Sequence, residues 1–188
     1  MNPEGIWKEA LRGSEVAWKE LYQLFGPRLY NFFLKNIGDI EVAMDKTQEV
    51  FEKLYRKKTS FIEGNLKSWI FRIAKNLLID WWRGRKNFQV AVEEPFDIPD
   101  GQPAIDSQVI DKLDREELLR YLDEALEKLG MEERIIVGLV YLGGITISEL
   151  SQIMELPLGT AKTKVRQARL KLDRFIASRC VISEFKKE

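Results

Sequence analysis

Apolar side chains recur every three or four residues along most of the chain, the spacing that places them on one face of an α-helix. The clearest stripe predicts a helix over 66–83 and consists of Leu66, Ile70, Ile73, Leu77 and Trp81. The same spacing predicts earlier helices over 15–24, 29–37 and 40–57, with Gly26-Pro27 separating the first two. No segment alternates between apolar and polar residues as a half-buried strand does, so the predicted fold class is all-α.

A stretch rich in proline and acidic residues interrupts the helical pattern between residues 91 and 110. Pro95, Pro99 and Pro103 lie there with Gly101, and this composition indicates a linker rather than a helix. The chain is therefore predicted to form two small helical domains, 1–90 and 111–188, joined by a flexible linker over 91–110. Fully extended, residues 91–107 would span roughly 55 Å, which exceeds one DNA turn of about 34 Å.

The second predicted domain carries the most specific local pattern. Thr146 to Glu149 fits a capping box, in which each side chain satisfies a backbone amide of the first helical turn. A short helix follows, Leu156 to Gly159 ends it, and a second helix is predicted to open at Thr160. Its apolar stripe consists of Ala161, Val165, Ala168, Leu172 and Phe175. Basic side chains occupy the opposite face, so the segment is predicted to be a helix-turn-helix whose second helix fits a DNA major groove. A plain helical hairpin with a solvated face is the alternative.

Composition excludes several classes of function. The 188 residues contain no histidine and a single cysteine, Cys180, so catalysis by Ser-His-Asp or Cys-His, a zinc site of Cys and His, and an intrachain disulfide are impossible. Cys180 is expected to be a free thiol. No apolar run is long enough to span a membrane, and the first ten residues lack a signal-peptide core. We expect a cytoplasmic protein without a metal, a cofactor or direct membrane insertion.

A net charge of zero conceals a strong segregation of charge. Residues 1–90 carry 16 basic and 11 acidic groups, residues 91–130 carry 4 and 12, and residues 131–188 carry 10 and 7. Two basic ends therefore flank an acidic middle, and local charge permits nucleic-acid binding where net charge would not indicate it. The helix 66–83 also interleaves cations with aromatic rings, a combination that suits single-stranded DNA. The alternative is that most of its tryptophans are buried; the spacing predicts this for Trp81 and leaves Trp69 open.

Three segments resemble, in order, the functional regions of one protein family. Residues 43–55 (AMDKTQEVFEKLY) look like the polymerase-binding helix of sigma factors, and residues 66–83 (LKSWIFRIAKNLLIDWWR) look like their −10 promoter region. Residues 146–169, with LGTAKT at 158–163, look like their −35-reading helix-turn-helix. The chain resembles the extracytoplasmic-function (ECF, group IV) sigma factors of the sigma-70 family, which keep only the two outer domains. The resemblance covers about residues 10–178.

The resemblance implies a role for each matched position. Asp45, Gln48 and Glu49 would face the core RNA polymerase, although the residues alone favour a solvated helix face there. The residues that would hold the melted −10 strand are Lys58, Phe61, Asn65, Trp69, Arg72, Lys75 and Asn76. The residues that would meet −35 bases or phosphates are Thr160, Lys162, Thr163, Lys164, Arg166, Gln167 and Arg169. The acidic linker would run toward the RNA path of the polymerase.

The predicted function is a transcription initiation factor, with promoter recognition rather than catalysis as its task. It would dock on bacterial core RNA polymerase, bind duplex −35 DNA and trap the melted −10 non-template strand. The resemblance also implies an anti-sigma factor as partner and a role in stress response, and no small-molecule substrate is expected. A stand-alone helix-turn-helix regulator would explain the C-terminal part but not the 43–55 helix, and a helical adaptor would explain neither basic cluster. An enzyme is not expected, because the carboxylates show no obvious pairing and there is no phosphate loop.

Overall fold

The structure, a computed structural model, describes residues 2–56, 61, 64–85 and 115–185, without the side chains of 115–119 and 180–185. Every regular element in these ranges is helical, as the pattern predicted. The α-helices are α1 (Pro3–Leu11), α2 (Glu15–Ile37), α3 (Ile40–Arg56), α4 (Leu66–Gly84), α5 (Arg115–Lys128), α6 (Met131–Val137), α7 (Ile147–Met154) and α8 (Leu158–Phe185), and a π-helix (Gly138–Leu142) follows α6. None of the helices searched is both long and apolar enough to cross a membrane.

The contacts divide the chain into two compact units. The first unit comprises residues 1–88 and 138–161, and the second comprises 89–137 and 162–188. Segment 138–161 thus belongs with the N-terminal helices rather than with the remainder of the predicted C-terminal domain. The predicted linker over 91–110 lies outside the described residues, as does Lys58, so the domain boundaries drawn from composition remain a prediction.

Side-chain caps start each of the first three helices, and a glycine ends the second. The Asn2 carboxamide accepts a hydrogen bond from the Gly5 amide at 2.7 Å, and the Ser14 hydroxyl accepts one from Ala17 at 3.2 Å. Gly38 ends α2 with a φ of 77°, a left-handed conformation that glycine adopts without strain. The Asp39 carboxylate then accepts from the Val42 amide at 3.0 Å and starts α3.

The break predicted at Gly26-Pro27 is wrong, since α2 continues through it. Proline removes one helical hydrogen bond and ordinarily breaks a helix interior. Here the residues on both sides present one continuous apolar face, formed by Leu21, Phe25, Leu29, Phe32 and Phe33, each at most 1% exposed. Burial of that face on the neighbouring helices offsets the lost bond, and a local pattern could not reveal it.

The core of the first unit is built from α2, α3 and α4, with α1 and α7 packed against them. In α4 the prediction that Trp81 is buried is wrong, because Trp82 is 1% exposed while Trp81 is half-buried beneath the Arg85 guanidinium at 4.3 Å. The buried stripe of α4 is Leu66, Ile70, Phe71, Ala74, Leu77, Leu78 and Trp82. The stripe is two residues wide at each turn, so a single row at 3–4 spacing selected the wrong tryptophan.

The second unit has its own apolar cluster, which brings α5 and the later turns of α8 together. Its buried members are Tyr121, Ala125, Leu126, Leu129, Val137, Ala168, Leu172 and Ile176. Three ion pairs connect α5 and α6 to α8. Lys164 lies 2.6 Å from Glu132 and Lys171 lies 2.6 Å from Glu133, both on α6, and Arg179 lies 3.0 Å from Glu124 on α5. Several cations of α8 are therefore used within the protein.

The predicted capping box at the start of α7 is confirmed. The Thr146 hydroxyl accepts from the Glu149 amide at 3.2 Å, and the Glu149 carboxylate accepts from the Thr146 amide at 2.7 Å. Glu155 ends α7 with a φ of 57°, and the Ser151 hydroxyl donates to the Leu156 carbonyl at 2.6 Å. Helix α8 opens at Leu158, two residues before the predicted Thr160, because the Pro157 carbonyl already accepts the first helical bond from Ala161.

Candidate nucleic-acid and polymerase interfaces

The exposed face of α3 carries the three residues predicted to meet the polymerase. Asp45 and Gln48 are exposed, and Glu49 is half-buried with Lys46 at 2.7 Å and Lys53 at 3.4 Å from its carboxylate oxygens. Burial raises the pKa of Glu49, but the hydrogen bonds and charges of the two lysines outweigh it and hold that pKa below its ordinary value. Glu49 therefore stays ionised, with much of its charge neutralised on its own helix.

The same face also presents two large apolar side chains that the sequence analysis did not select. Ile40 is 61% exposed and Met44 is 59% exposed, and with Gln48 they follow one another at intervals of four along α3. Helical neighbours at that spacing share one face. Apolar spacing alone does not show which members of a row stay outside the core, so the pattern of 40–57 did not mark these two side chains as exposed.

Five aromatic rings form a cluster beside the N-terminus of α4. Measured between ring centroids, Trp69 lies 5.1 Å from Phe61 and 5.5 Å from Trp7. The Trp7 ring also lies 6.1 Å from Phe61 and 5.6 Å from Trp18. Tyr55 extends the cluster from Trp18 at 5.5 Å. The structure thus brings together Phe61 and Trp69, both predicted for the −10 strand, and leaves both partly exposed. It adds Trp7, 2% exposed, as the ring on which both pack.

The polar face of α4 is occupied by α7. The Asn65 amide nitrogen donates to the Glu149 carboxylate at 2.9 Å, and the Lys67 ammonium donates to the Gly144 carbonyl at 2.6 Å. Further along α4, Arg72 donates to the Gln152 carbonyl at 2.8 Å and Lys75 donates to the Ile153 carbonyl at 3.0 Å. Of these four donors, Asn65, Arg72 and Lys75 were predicted to hold the −10 strand, and Lys67 was not. Asn76, the other polar residue of α4 in that predicted set, is exposed.

The charged groups between α4 and α7 are partly buried, and the pKa values of Glu149 and Lys75 are shifted. Burial raises the pKa of Glu149, yet hydrogen bonds from Thr146, Lys67 and Asn65 more than compensate, and the pKa lies below its ordinary value. For Lys75, burial lowers the pKa, the Glu155 charge opposes this and the Arg72 charge adds to it. The Nε of Arg72 is buried without an acceptor among the described residues. Arg72 and Lys75 are therefore partly desolvated, and their contacts within the described residues compensate for this only in part.

Most predicted −35 residues lie on the exposed surface of α8. Six of the seven are exposed: Thr160, Lys162, Thr163, Arg166, Gln167 and Arg169. The seventh, Lys164, is half-buried and its ammonium lies 2.6 Å from Glu132. Arg169 is exposed but has Asp173 at 3.6 Å one turn later. Lys162 and Arg166 are exposed on α8, and neither forms an ion pair with another described residue.

Two family models match the chain, one over the helices α3 and α4 and the other over α7 and the start of α8. The model described as Sigma-70 region 2 matches residues 21–88, which include α3 and α4. The model described as Sigma-70, region 4 matches residues 119–172, which include α7 and the first half of α8.

Curated relatives and solved structures cover nearly the whole chain. The ECF RNA polymerase sigma factor RpoE of Cereibacter sphaeroides is 32% identical over 156 residues, 82% of this chain and 83% of the relative. The ECF RNA polymerase sigma factor SigW of Bacillus subtilis is 26% identical over 168 residues, 86% of this chain and 90% of the relative.

Among solved structures, the sigma factor RpoE in complex with the anti-sigma factor NepR from Bartonella quintana matches with a TM-score of 0.62 and 26% identity. That match covers 85% of this chain and 96% of the other. CnrH in complex with the cytosolic domain of CnrY matches with a TM-score of 0.68 over 92% of this chain and 96% of the other, at 18% identity, and supports the fold alone.

Proposed function

The chain belongs to the family of ECF RNA polymerase sigma factors, and from this premise we propose which of its surfaces performs each step of transcription initiation. The family function is to direct RNA polymerase to promoters. The observation that carries the assignment is the ordered match of regions 2 and 4 to 21–88 and 119–172, since a stand-alone helix-turn-helix regulator would need only the second. The finer placement in group IV is part of the proposal.

In this proposal α8 reads the duplex −35 element. An α-helix fits the major groove, and residues near its N-terminus reach the base edges. Thr160, Thr163 and Gln167 are exposed there and offer hydrogen-bond donors and acceptors, while Lys162 and Arg166 offer positive charge to phosphates or guanine. Lys164 and Arg169 complete the predicted set, although each has a carboxylate neighbour that a phosphate would have to displace.

Helix α4 and the preceding loop bind the melted −10 strand in the same proposal. Flipping a base costs a few kcal/mol of unpairing and unstacking, and stacking on an aromatic ring returns about 1–3 kcal/mol per base. Phe61 and Trp69 supply partly exposed rings 5.1 Å apart, and Asn65, Arg72, Lys75 and Asn76 supply polar and cationic groups along one helix. Lys58 would belong to this set but lies outside the described residues.

Helix α3 docks on core RNA polymerase through a mixed surface. Asp45 and Gln48 supply exposed polar groups, and Ile40 and Met44 supply apolar area that water would otherwise cover. Burial of apolar surface stabilises a complex by roughly 25 cal/mol per Å² before entropic costs. We therefore extend the docking surface beyond Asp45, Gln48 and Glu49 to these two side chains.

The remaining parts of the proposal concern partners, location and chemistry. An anti-sigma factor is proposed as a partner because the similar RpoE from Bartonella quintana was solved with one. Action on bacterial RNA polymerase implies a cytoplasmic location and a task of recruitment without catalysis. The acidic stretch 91–110 is proposed, still from the resemblance, to run toward the RNA path.

A mixing experiment tests the polymerase assignment. The full chain is added to bacterial core RNA polymerase and co-migration is followed by gel filtration for the wild type and for Gln48→Ala/Glu49→Ala. The proposal expects wild-type co-migration and a weaker complex for the double variant, while a control with Gln23→Ala, an exposed position on α2, behaves as wild type. Co-migration that the double variant leaves unchanged would remove these contacts, and no binding at low salt would favour an autonomous regulator.

A further inference from the structure

The cations of α8 differ in whether they have a carboxylate partner within the second unit. Lys164, Lys171 and Arg179 each lie at most 3.0 Å from a carboxylate on α5 or α6. Lys162 and Arg166, the cations proposed to meet DNA, form no ion pair with another described residue. The carboxylates of α5 and α6 therefore determine how much of the positive charge of α8 is available to phosphates.

Lys164 is the cation of these three pairs that lies closest in sequence to the proposed DNA face. It stands between Lys162 and Arg166, but residues two apart in a helix point to different sides. Lys164 instead shares a side with Ala168, which is fully buried, and with Lys171. Its side chain is 32% exposed, so its ammonium reaches water at the border between the core and the exposed face. The flexible four-carbon stem allows the ammonium to turn from this border either to α6 or to a phosphate.

The two acidic residues at the start of α6 are not equivalent. One carboxylate oxygen of Glu133 accepts from the Gly130 amide at 3.1 Å, and the other lies 2.6 Å from Lys171. The Glu133 side chain is only 17% exposed, so this pair belongs to the framework of the unit. Glu132 has Lys164 at 2.6 Å, and its side chain is 44% exposed. Lys164 can therefore exchange Glu132 for another anion without breaking the bond between Glu133 and Gly130.

Pairing with Glu132 lowers the gain that Lys164 obtains from a phosphate. A lysine that neutralises a phosphate releases a counterion from DNA, and this release drives sequence-independent binding. When Lys164 leaves Glu132 for a phosphate, the carboxylate remains as an unpaired negative charge near the DNA backbone and is repelled by it. The pair as a whole thus has no net charge to offer to DNA. Removal of the carboxylate converts Lys164 from a neutralised group into a free cation.

We propose that Glu132 is a positioning residue that withholds Lys164 from DNA phosphates and thereby limits the binding of α8 to DNA of any sequence. This inference rests on the proposed function of α8 in binding duplex DNA. Contacts to phosphates carry no sequence information, whereas contacts to base edges do. One fewer free cation weakens binding to the large excess of non-promoter sites, so recognition of a −35 element depends more on its base contacts.

The test compares variants that remove one carboxylate at either of two positions along α8. Glu132→Gln and Glu132→Ala both remove the charged partner of Lys164; glutamine keeps the size of the side chain, and alanine also removes the hydrogen-bond acceptor. Glu124→Gln is the matched control, because it changes the net charge equally and frees Arg179 instead. Arg179 lies about 22 Å further along α8 than Lys164 at 1.5 Å per residue, more than the major-groove width of about 12 Å. Circular dichroism confirms that each variant keeps its helices.

Binding of the full chain to a labelled 30-base-pair duplex of randomised sequence is measured by fluorescence anisotropy at several salt concentrations. In both Glu132 variants the slope of log affinity against log salt should steepen by about 0.9, the value for one more neutralised phosphate. Between about 50 and 200 mM salt, their affinity should then fall about 3.5-fold more than that of the wild type. Glu124→Gln should keep the wild-type slope, and adding Lys164→Ala to Glu132→Gln should restore that slope.

The inference is overturned by an unchanged slope in both Glu132 variants, by an equal steepening in Glu124→Gln, or by a steepening that persists when Lys164→Ala is added. The variant Lys162→Ala/Arg166→Ala separates this inference from the assignment of α8 on which it rests. If that variant has a flatter slope than the wild type while the Glu132 variants do not differ from it, only the role of Glu132 is wrong. If that variant keeps the wild-type slope, the DNA-binding assignment of this face fails and the inference fails with it.

Discussion

Replacing Lys162 and Arg166 by alanine should flatten the salt dependence of duplex DNA binding. Both side chains are exposed on α8, and neither forms an ion pair within the described part of the chain. Each is therefore available to neutralise a phosphate and release a counterion. Lys164 is different, because its ammonium already lies 2.6 Å from the Glu132 carboxylate.

The magnitude follows from counterion release. Each neutralised phosphate contributes about 0.9 to the slope of log affinity against log salt, so the double variant should lose about 1.8. Between about 50 and 200 mM salt, a fourfold rise, the affinity of the wild type should fall about 12-fold more than that of the double variant. Lys164→Ala should change the slope much less, and loss of its partly exposed ion pair should cost at most about 1 kcal/mol of stability.

Fluorescence anisotropy of a labelled 30-base-pair duplex, titrated with the full chain at several salt concentrations, measures these slopes. Circular dichroism confirms that each variant keeps its helices. Equal slopes for the wild type and Lys162→Ala/Arg166→Ala would refute phosphate contact by this face of α8. A larger loss for Lys164→Ala than for the double variant would move the contact to the neighbouring face.

Three further outcomes are expected from the packing, each measured by urea unfolding followed by circular dichroism. Trp82→Ala should lower the free energy of unfolding by about 3–5 kcal/mol, whereas Trp81→Ala should cost less than about 1.5 kcal/mol; equal costs would contradict the burial assigned to them. Thr146→Ala should cost about 1 kcal/mol through loss of the α7 cap, and Thr146→Ser should restore it. Because the pKa of Glu149 is lowered in the folded state, its contribution should be fully present above its ordinary pKa of 4.5 and lost as pH falls through the lower folded value. Glu149→Gln should remove that part of the pH dependence, and an unchanged profile would contradict the pairing with Lys67.

Local features of the chain were sufficient for the elements that depend on neighbours in sequence. The capping box of Thr146 and Glu149 needs only residues three apart, and the structure has both of its hydrogen bonds. The cap at Ser14 and the glycine stop at Gly38 are equally local. The all-α class and the exposed basic face of α8 follow from the same 3–4 spacing, because in a helix that spacing alone decides which side chains share a face.

Features that depend on distant residues were decided by tertiary packing. Helix α2 passes through Pro27 because apolar side chains on both sides of it are buried together, and Trp82 rather than Trp81 enters the core because α4 is covered over a wide face. The occupation of Asn65, Arg72 and Lys75 by α7 joins residues about eighty positions apart. A sequence pattern identifies the donors on α4, but which acceptors they meet depends on where the fold places the carbonyls at the end of another helix.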